Sequence, residues 1–149
     1  MKQIKTRERV KKHGEVFTAE REVNAMLDLV KDETEKIDSI FLEPACGNGN
    51  FLIKILERKL KVAKTGQEVL RCLASIYGID IQEDNVIESR DRLKEMCKGR
   101  CNMEVAEKIL EKNIIVGNFL EPDKVVMYKW EFDGNKIYMQ KFNLGACIR

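Results

Sequence analysis

Three short stretches hold residue types that can do chemistry together. Glu43-Pro44-Ala45-Cys46-Gly47-Asn48-Gly49-Asn50 follows the apolar run at 39–42. Gly47 and Gly49 let the backbone approach a ligand with no Cβ in the way. A helix starting just after them leaves N–H groups outside its own ladder, free to meet a ligand. A second apolar run, 76–81, includes Asp80 at its end. A carboxylate at the end of a strand can accept both hydroxyls of a ribose in two charge-assisted hydrogen bonds. Ile81 is then placed against the flat face of a base. A third run, Ile114-Ile115-Val116, leads into Gly117-Asn118-Phe119. There an amide can meet a purine edge and an aromatic ring can stack on it. Taken singly, each stretch is a common turn or cap. In this order, each after an expected strand, they outline a pocket for an adenosine-type ligand. A dinucleotide fingerprint needs a further glycine at position 52, which is Leu52, so a pyrophosphate cofactor is not supported.

The elements that must position these stretches follow from hydrophobic spacing. Ala19, Val23, Met26, Leu27 and Val30 share one face of a helix capped by Thr18, and the polar stretch 31–38 reads as a connection. A strand at 39–42 enters the glycine turn. The helix after it has Phe51, Leu52, Ile55, Leu56 and Val62 as candidate core, is broken near Gly66, and gives way to a second helix over 67–75. The strand at 76–81 precedes a helix over 83–98 with Val86, Ile87, Arg90, Leu93 and Cys97 spaced by threes and fours. Asn102 is the expected cap of a helix through Lys112 that faces inward with Val105, Ala106, Ile109 and Leu110. Strand 114–116 follows. Strands alternating with helices imply parallel pairing and right-handed crossovers. The tail differs: Tyr128, Trp130 and Phe132 alternate up to Asp133-Gly134, and Ile137 and Met139 follow, which is a β-hairpin pattern. Trp130 can stack on a base, but its spacing with Phe132 favours a core position.

Composition bounds the function. The chain has 149 residues, 44% hydrophobic and 35% charged, the profile of one globular domain. Lys and Arg total 27 against 25 Asp and Glu, so there is no global basic excess of the kind that coats nucleic acid. Basic residues are concentrated at 1–13, an arm read most simply as a solvated tail. Five cysteines, no secretory signal pattern and no membrane-length apolar run fit a cytoplasmic protein with free thiols. Cys97 and Cys101, with His13 the sole histidine, do not make a zinc set, and no metal site is expected. His13 is not assigned a chemical role.

The stretches HGEVFTAEREVNAMLDLV, FLEPACGNGNFLIKIL, IYGIDIQEDNVIESRDRL and IIVGNFLEPD resemble four successive motifs of the adenine-N6 DNA methyltransferases of restriction–modification systems. The resemblance spans residues 13–125 and implies a class I, Rossmann-like methyltransferase fold with S-adenosylmethionine as cofactor. It implies that Phe17 and Thr18 close over the methionine part. Glu43, Ala45, Gly47 and Gly49 form the glycine loop beneath it, Asp80 holds the ribose with Ile81 beside it, and Asn118 and Phe119 border the adenine. Two positions depart from the family pattern. Ala19 stands where proline is usual, and Asn118 stands where aspartate is common, so that position accepts without charge.

The family's catalytic motif is Asn or Asp, two prolines and an aromatic residue at the end of a fourth strand. It accepts the protons of the adenine amine, aligns its lone pair with the sulfonium methyl and stacks on a flipped base. The two prolines of this chain, Pro44 and Pro122, are far apart, and 141–148 sits where a fourth strand would begin. No catalytic residue is assigned, and whether the chain is itself an enzyme stays open. The expected architecture is an incomplete three-layer α/β domain of about three parallel strands over 14–125, preceded by the arm at 1–13 and followed by a hairpin tail at 126–149. The expected function is the cofactor-binding portion of a truncated methyltransferase, unable to transfer methyl groups alone. DNA would be met through the complete enzyme or a partner chain supplying catalysis or recognition. Two alternatives differ in class. One is a non-enzymatic assembly module or half of a split enzyme, since an open sheet edge invites a partner. The other is a small-molecule or RNA methyltransferase, which the helix ahead of the first strand disfavours.

Overall fold

A computed structural model describes residues 20–147. Phe17, Thr18 and Ala19, with the arm at 1–13, lie outside the described residues. Helix α1 (Glu20–Asp28) buries Val23 and Leu27. Met26 and Val30, expected on that face, are exposed instead, at 53% and 43%. The expected polar connection holds a short helix, α2 (Lys31–Thr34), whose Thr34 hydroxyl donates to the Lys31 carbonyl at 2.8 Å.

Strand β1 (Phe41–Glu43) leads through the glycine turn into α3 (Asn50–Leu60). Leu52, Ile55 and Leu56 of α3 are buried, whereas Val62 lies beyond its end and is exposed. Helix α4 (Gly66–Ala74) starts at Gly66, because Thr65 and Glu68 form a reciprocal capping box. Strand β2 (Ile76–Asp80) is buried throughout, as expected of a central parallel strand. Helix α5 (Glu83–Cys97) follows, with Val86, Leu93 and Cys97 inside and Ile87 exposed. Cys101 falls past the end of α5, so the two cysteines do not share a helix. Asn102 caps α6 (Met103–Asn113), its Oδ1 accepting the N–H groups of Glu104 and Val105 at 3.1 and 3.2 Å. Strand β3 (Ile114–Val116) completes a parallel sheet in the order β1-β2-β3. Phe41 is opposite Ile76, and Gly78 is opposite Ile114.

Two successive right-handed crossovers in one direction put their helices on one face of the sheet. The main core lies there, with Ile76 of β2 packed among the buried side chains of the helices. The hairpin covers part of the other face. Strands β4 (Val126–Asp133) and β5 (Lys136–Asn143) pair antiparallel, longer than the sequence suggested, with Trp130 opposite Met139. Residues 141–143 therefore finish β5, and Leu144–Cys147 forms a short helix, α7, where a fourth strand was expected to begin. A second cluster of Tyr77, Ile79, Val125, Met127 and Leu144 fixes the hairpin to the sheet. The result is an α/β unit with a three-stranded parallel sheet, an antiparallel hairpin and an incomplete Rossmann-like form. Among the described residues no helix is long and apolar enough to cross a membrane.

Candidate functional site

The carboxyl ends of the three parallel strands meet through direct bonds. Cys46 donates its backbone N–H to the Ile79 carbonyl at 2.8 Å, and Gly117 donates to the Asp80 carbonyl at 3.0 Å. The expected loops after β1, β2 and β3 are thus brought together. The glycine loop turns at Gly47 and Gly49, both at positive φ (54° and 93°). Gly49 is also the N-cap of α3, so no side chain caps that helix, and its first turn holds no acidic residue. The positive end of α3 therefore has no acidic side chain of its own first turn beside it, and it lies in a buried loop, residues 46–50.

Asp80 sits at the centre. Its Oδ2 accepts the Gly47 N–H at 2.9 Å. Its Oδ1 accepts the Gln82 N–H at 2.8 Å and the Asn85 Nδ2 at 3.2 Å. A carboxylate offers about four acceptor positions, so most of its capacity already serves the chain. Asp80 is buried, and Ile81 beside it is 45% exposed. Glu43 at the end of β1 accepts the Ala45 N–H at 3.3 Å, while burial pushes its carboxyl above the usual range. Cys46 is buried, and loss of solvent followed by the nearby Asp80 charge pushes its thiol up to about 12. It is an inert packing group.

Asn118 turns its Oδ1 onto the N–H of Leu120 at 2.9 Å. Phe119 is half-buried and packs against the cluster of Tyr77 and Ile79. Both follow β3, and each already has an intrachain partner.

Residues of α5 that the sequence reading passed over hold the loop from behind. Ser89 Oγ donates to the Gly47 carbonyl at 3.0 Å. Arg92 Nη1 donates to the Asn48 carbonyl at 2.8 Å and to Asn50 Oδ1 at 2.9 Å. Asn85, Ser89 and Arg92 recur at i, i+4 and i+7, a polar stripe on one helix face. That spacing was the available signal. The Asn48 Oδ1 atom is buried in the same loop with no hydrogen-bond partner, a cost that a ligand donor would relieve.

A model of the N-6 DNA methylase family matches residues 3–127. The chain belongs to that family. It is also similar to the type II methyltransferase M.VspI of Vibrio sp. (strain 343), 34% identical over 101 residues. That match covers 68% of this chain and 20% of the relative, so the chain spans about a fifth of the curated relative it matches. No solved structure matches the chain. The family uses S-adenosylmethionine as methyl donor and DNA as substrate. The residues present fit that cofactor in kind, with a glycine loop, a strand-end carboxylate and an orphaned amide oxygen.

Proposed function

We propose that this chain is the S-adenosylmethionine-binding portion of an adenine-N6 DNA methyltransferase. The observation that carries the reading is the convergence of the glycine loop, Asp80 and Gly117 at one end of the parallel sheet, inside the stretch matched by the family model. The bound cofactor supplies an electrophilic methyl group on a sulfonium. In this reading the chain's own residues bind and orient. Gly47 and Gly49 give the backbone room, Asn48 Oδ1 accepts a ligand donor, and the positive end of the α3 dipole faces the carboxylate. Asp80 takes the ribose by giving up one of its internal donors. Ile81 and Asn118 flank the base, with Phe119 held behind by its packing. Phe17 and Thr18, outside the described residues, are assigned to the methionine part by the family resemblance alone.

Methyl transfer to DNA requires, in this reading, the rest of the fold. Strand β1 pairs only with β2 among the described residues, and Ile40 and Leu42 are solvent-exposed beside its open edge. Parallel sheets are normally covered on both faces and extended at such edges. That edge favours completion by further polypeptide, whether in the same chain or in a partner.

The test is calorimetric titration of the folded chain with S-adenosylmethionine, beside an assay of labelled methyl transfer into duplex DNA. Micromolar binding without transfer supports the reading. A folded chain that binds no cofactor overturns it, and transfer by the pure chain overturns the division of labour.

A further inference from the structure

The loop carbonyls of Gly47 and Asn48 both turn toward α5. Ser89 Oγ donates to the first and Arg92 Nη1 to the second. In a trans peptide the N–H points opposite to the C=O, so the N–H of Asn48 is driven to the far side of the loop, away from α5. A ligand on that side meets a donor in place of a carbonyl lone pair. Arg92 adds a second contact by holding Asn50 Oδ1, at the first position of α3. One guanidinium thus fixes both the loop and the start of the helix. Ser89 is fully buried, and a Cβ built on Gly49 would lie 3.0 Å from its hydroxyl, so loop and helix are in close contact.

We propose that Arg92 and Ser89 are positioning residues that hold the glycine loop in its ligand-accepting form, orienting the Asn48 N–H toward an electron-rich or anionic ligand group. This rests on the cofactor reading above and adds a role for α5 to it. Both bonds leave one nitrogen, Nη1, whose two N–H groups are fixed in the guanidinium plane, whereas the donors of a lysine ammonium rotate on a flexible stem.

The experiment uses the full chain and three variants. Arg92→Met keeps the stem and removes the guanidinium, Arg92→Lys keeps the charge, and Arg90→Met is the control. Arg90 donates to the Ile114 and Glu111 carbonyls at 2.7 and 3.2 Å and does not touch the loop. Each protein is titrated with S-adenosylmethionine, melted, and followed by amide hydrogen exchange. The expected result is a tenfold or greater loss of affinity in Arg92→Met, with a smaller loss in Arg92→Lys. Faster exchange is confined to 46–51, and Arg90→Met binds as the parent does even where it melts earlier. Equal affinity in Arg92→Met and the parent overturns the proposal, as does an equal loss in Arg90→Met. If the parent itself binds no cofactor, the cofactor reading falls. The exchange data then decide the clamp separately, and unchanged exchange at 46–51 in Arg92→Met overturns it.

Discussion

The Asp80 carboxylate accepts the backbone N–H of Gly47 across 2.9 Å, joining the end of β2 to the turn that follows β1. The two residues are 33 positions apart, and their bond sets the loop's height above the sheet. An aspartate at this point is therefore part of the loop's support as well as a candidate ribose acceptor.

Asp80→Asn separates those roles poorly by design, and its outcome is informative for that reason. The three donors on Asp80 are Gly47 N–H, Gln82 N–H and Asn85 Nδ2. An amide in place of the carboxylate turns an NH₂ group toward at least one of them. A buried donor facing a donor costs about 1–3 kcal/mol. The melting temperature should fall, and affinity for S-adenosylmethionine should drop at least tenfold. A variant that melts early but binds unchanged would confine Asp80 to structure.

Gly78 is the second position where the fold leaves no tolerance. It lies in β2 beneath the loop, and a Cβ there would sit 2.8 Å from Leu52 Cδ1 and 3.1 Å from Cys46 Cβ. Gly78→Ala must push α3 or the loop away from the sheet. Overpacking of this kind costs about 1–3 kcal/mol. A urea titration should show the loss as a lower midpoint. Leu52→Ala should cost less in the Gly78→Ala background than in the parent, because it removes the methyl nearest the new Cβ.

The boundary between what spacing reveals and what it hides runs through these elements. Strand 114–116 and the Asn102 cap were legible because both depend on neighbours within a few residues. The strand-end loops were legible for the same reason, since glycines and a terminal carboxylate mark them locally. Helix α2 was hidden by its polar composition and four-residue length. The exposed sides of Met26 and Ile87 were hidden because an apolar stripe does not say how wide the facing surface is. Ser89 and Arg92 act on partners 42 and 44 residues away, a relation that no local period encodes.

Tyr77 links stability to pH. Its hydroxyl donates to the Tyr128 carbonyl at 2.7 Å and holds β4 to β2. Burial pushes the phenol from 10 up to about 12. Between these values the unfolded chain has released the proton and the folded chain keeps it, so folding is increasingly opposed as pH rises. The contribution is fully present below pH 10 and is lost through pH 12, up to about 3 kcal/mol. Tyr77→Phe should lose about 1 kcal/mol at neutral pH and show a shallower alkaline decline. Parallel urea midpoints at pH 7 and pH 11 measure the difference, and equal slopes would refute it.

A buried amide also fastens the hairpin to the helical layer. Asn113 Nδ2 donates to the Leu73, Ala74 and Ile76 carbonyls at 3.3, 3.2 and 3.1 Å, and its Oδ1 accepts Trp130 Nε1 at 2.6 Å. The residue is fully buried, so the groups it satisfies have no water to turn to. Asn113→Ala should cost about 2–4 kcal/mol. Asn113→Asp should cost more, because a carboxylate would face three carbonyl oxygens. Trp130→Phe removes only the indole bond and should cost about 1–2 kcal/mol. Because Trp130 and Asn113 share that bond, the double variant should lose less than the sum of the two singles. Trp130 is the sole tryptophan, so its fluorescence in the Asn113 variants reports the docking of the hairpin alone. If fluorescence shifts at lower urea than the helical circular dichroism, the hairpin leaves the sheet before the helices unfold. Coincident curves in Asn113→Ala would instead show that the amide holds the whole unit together, with the hairpin an integral part of one cooperative core.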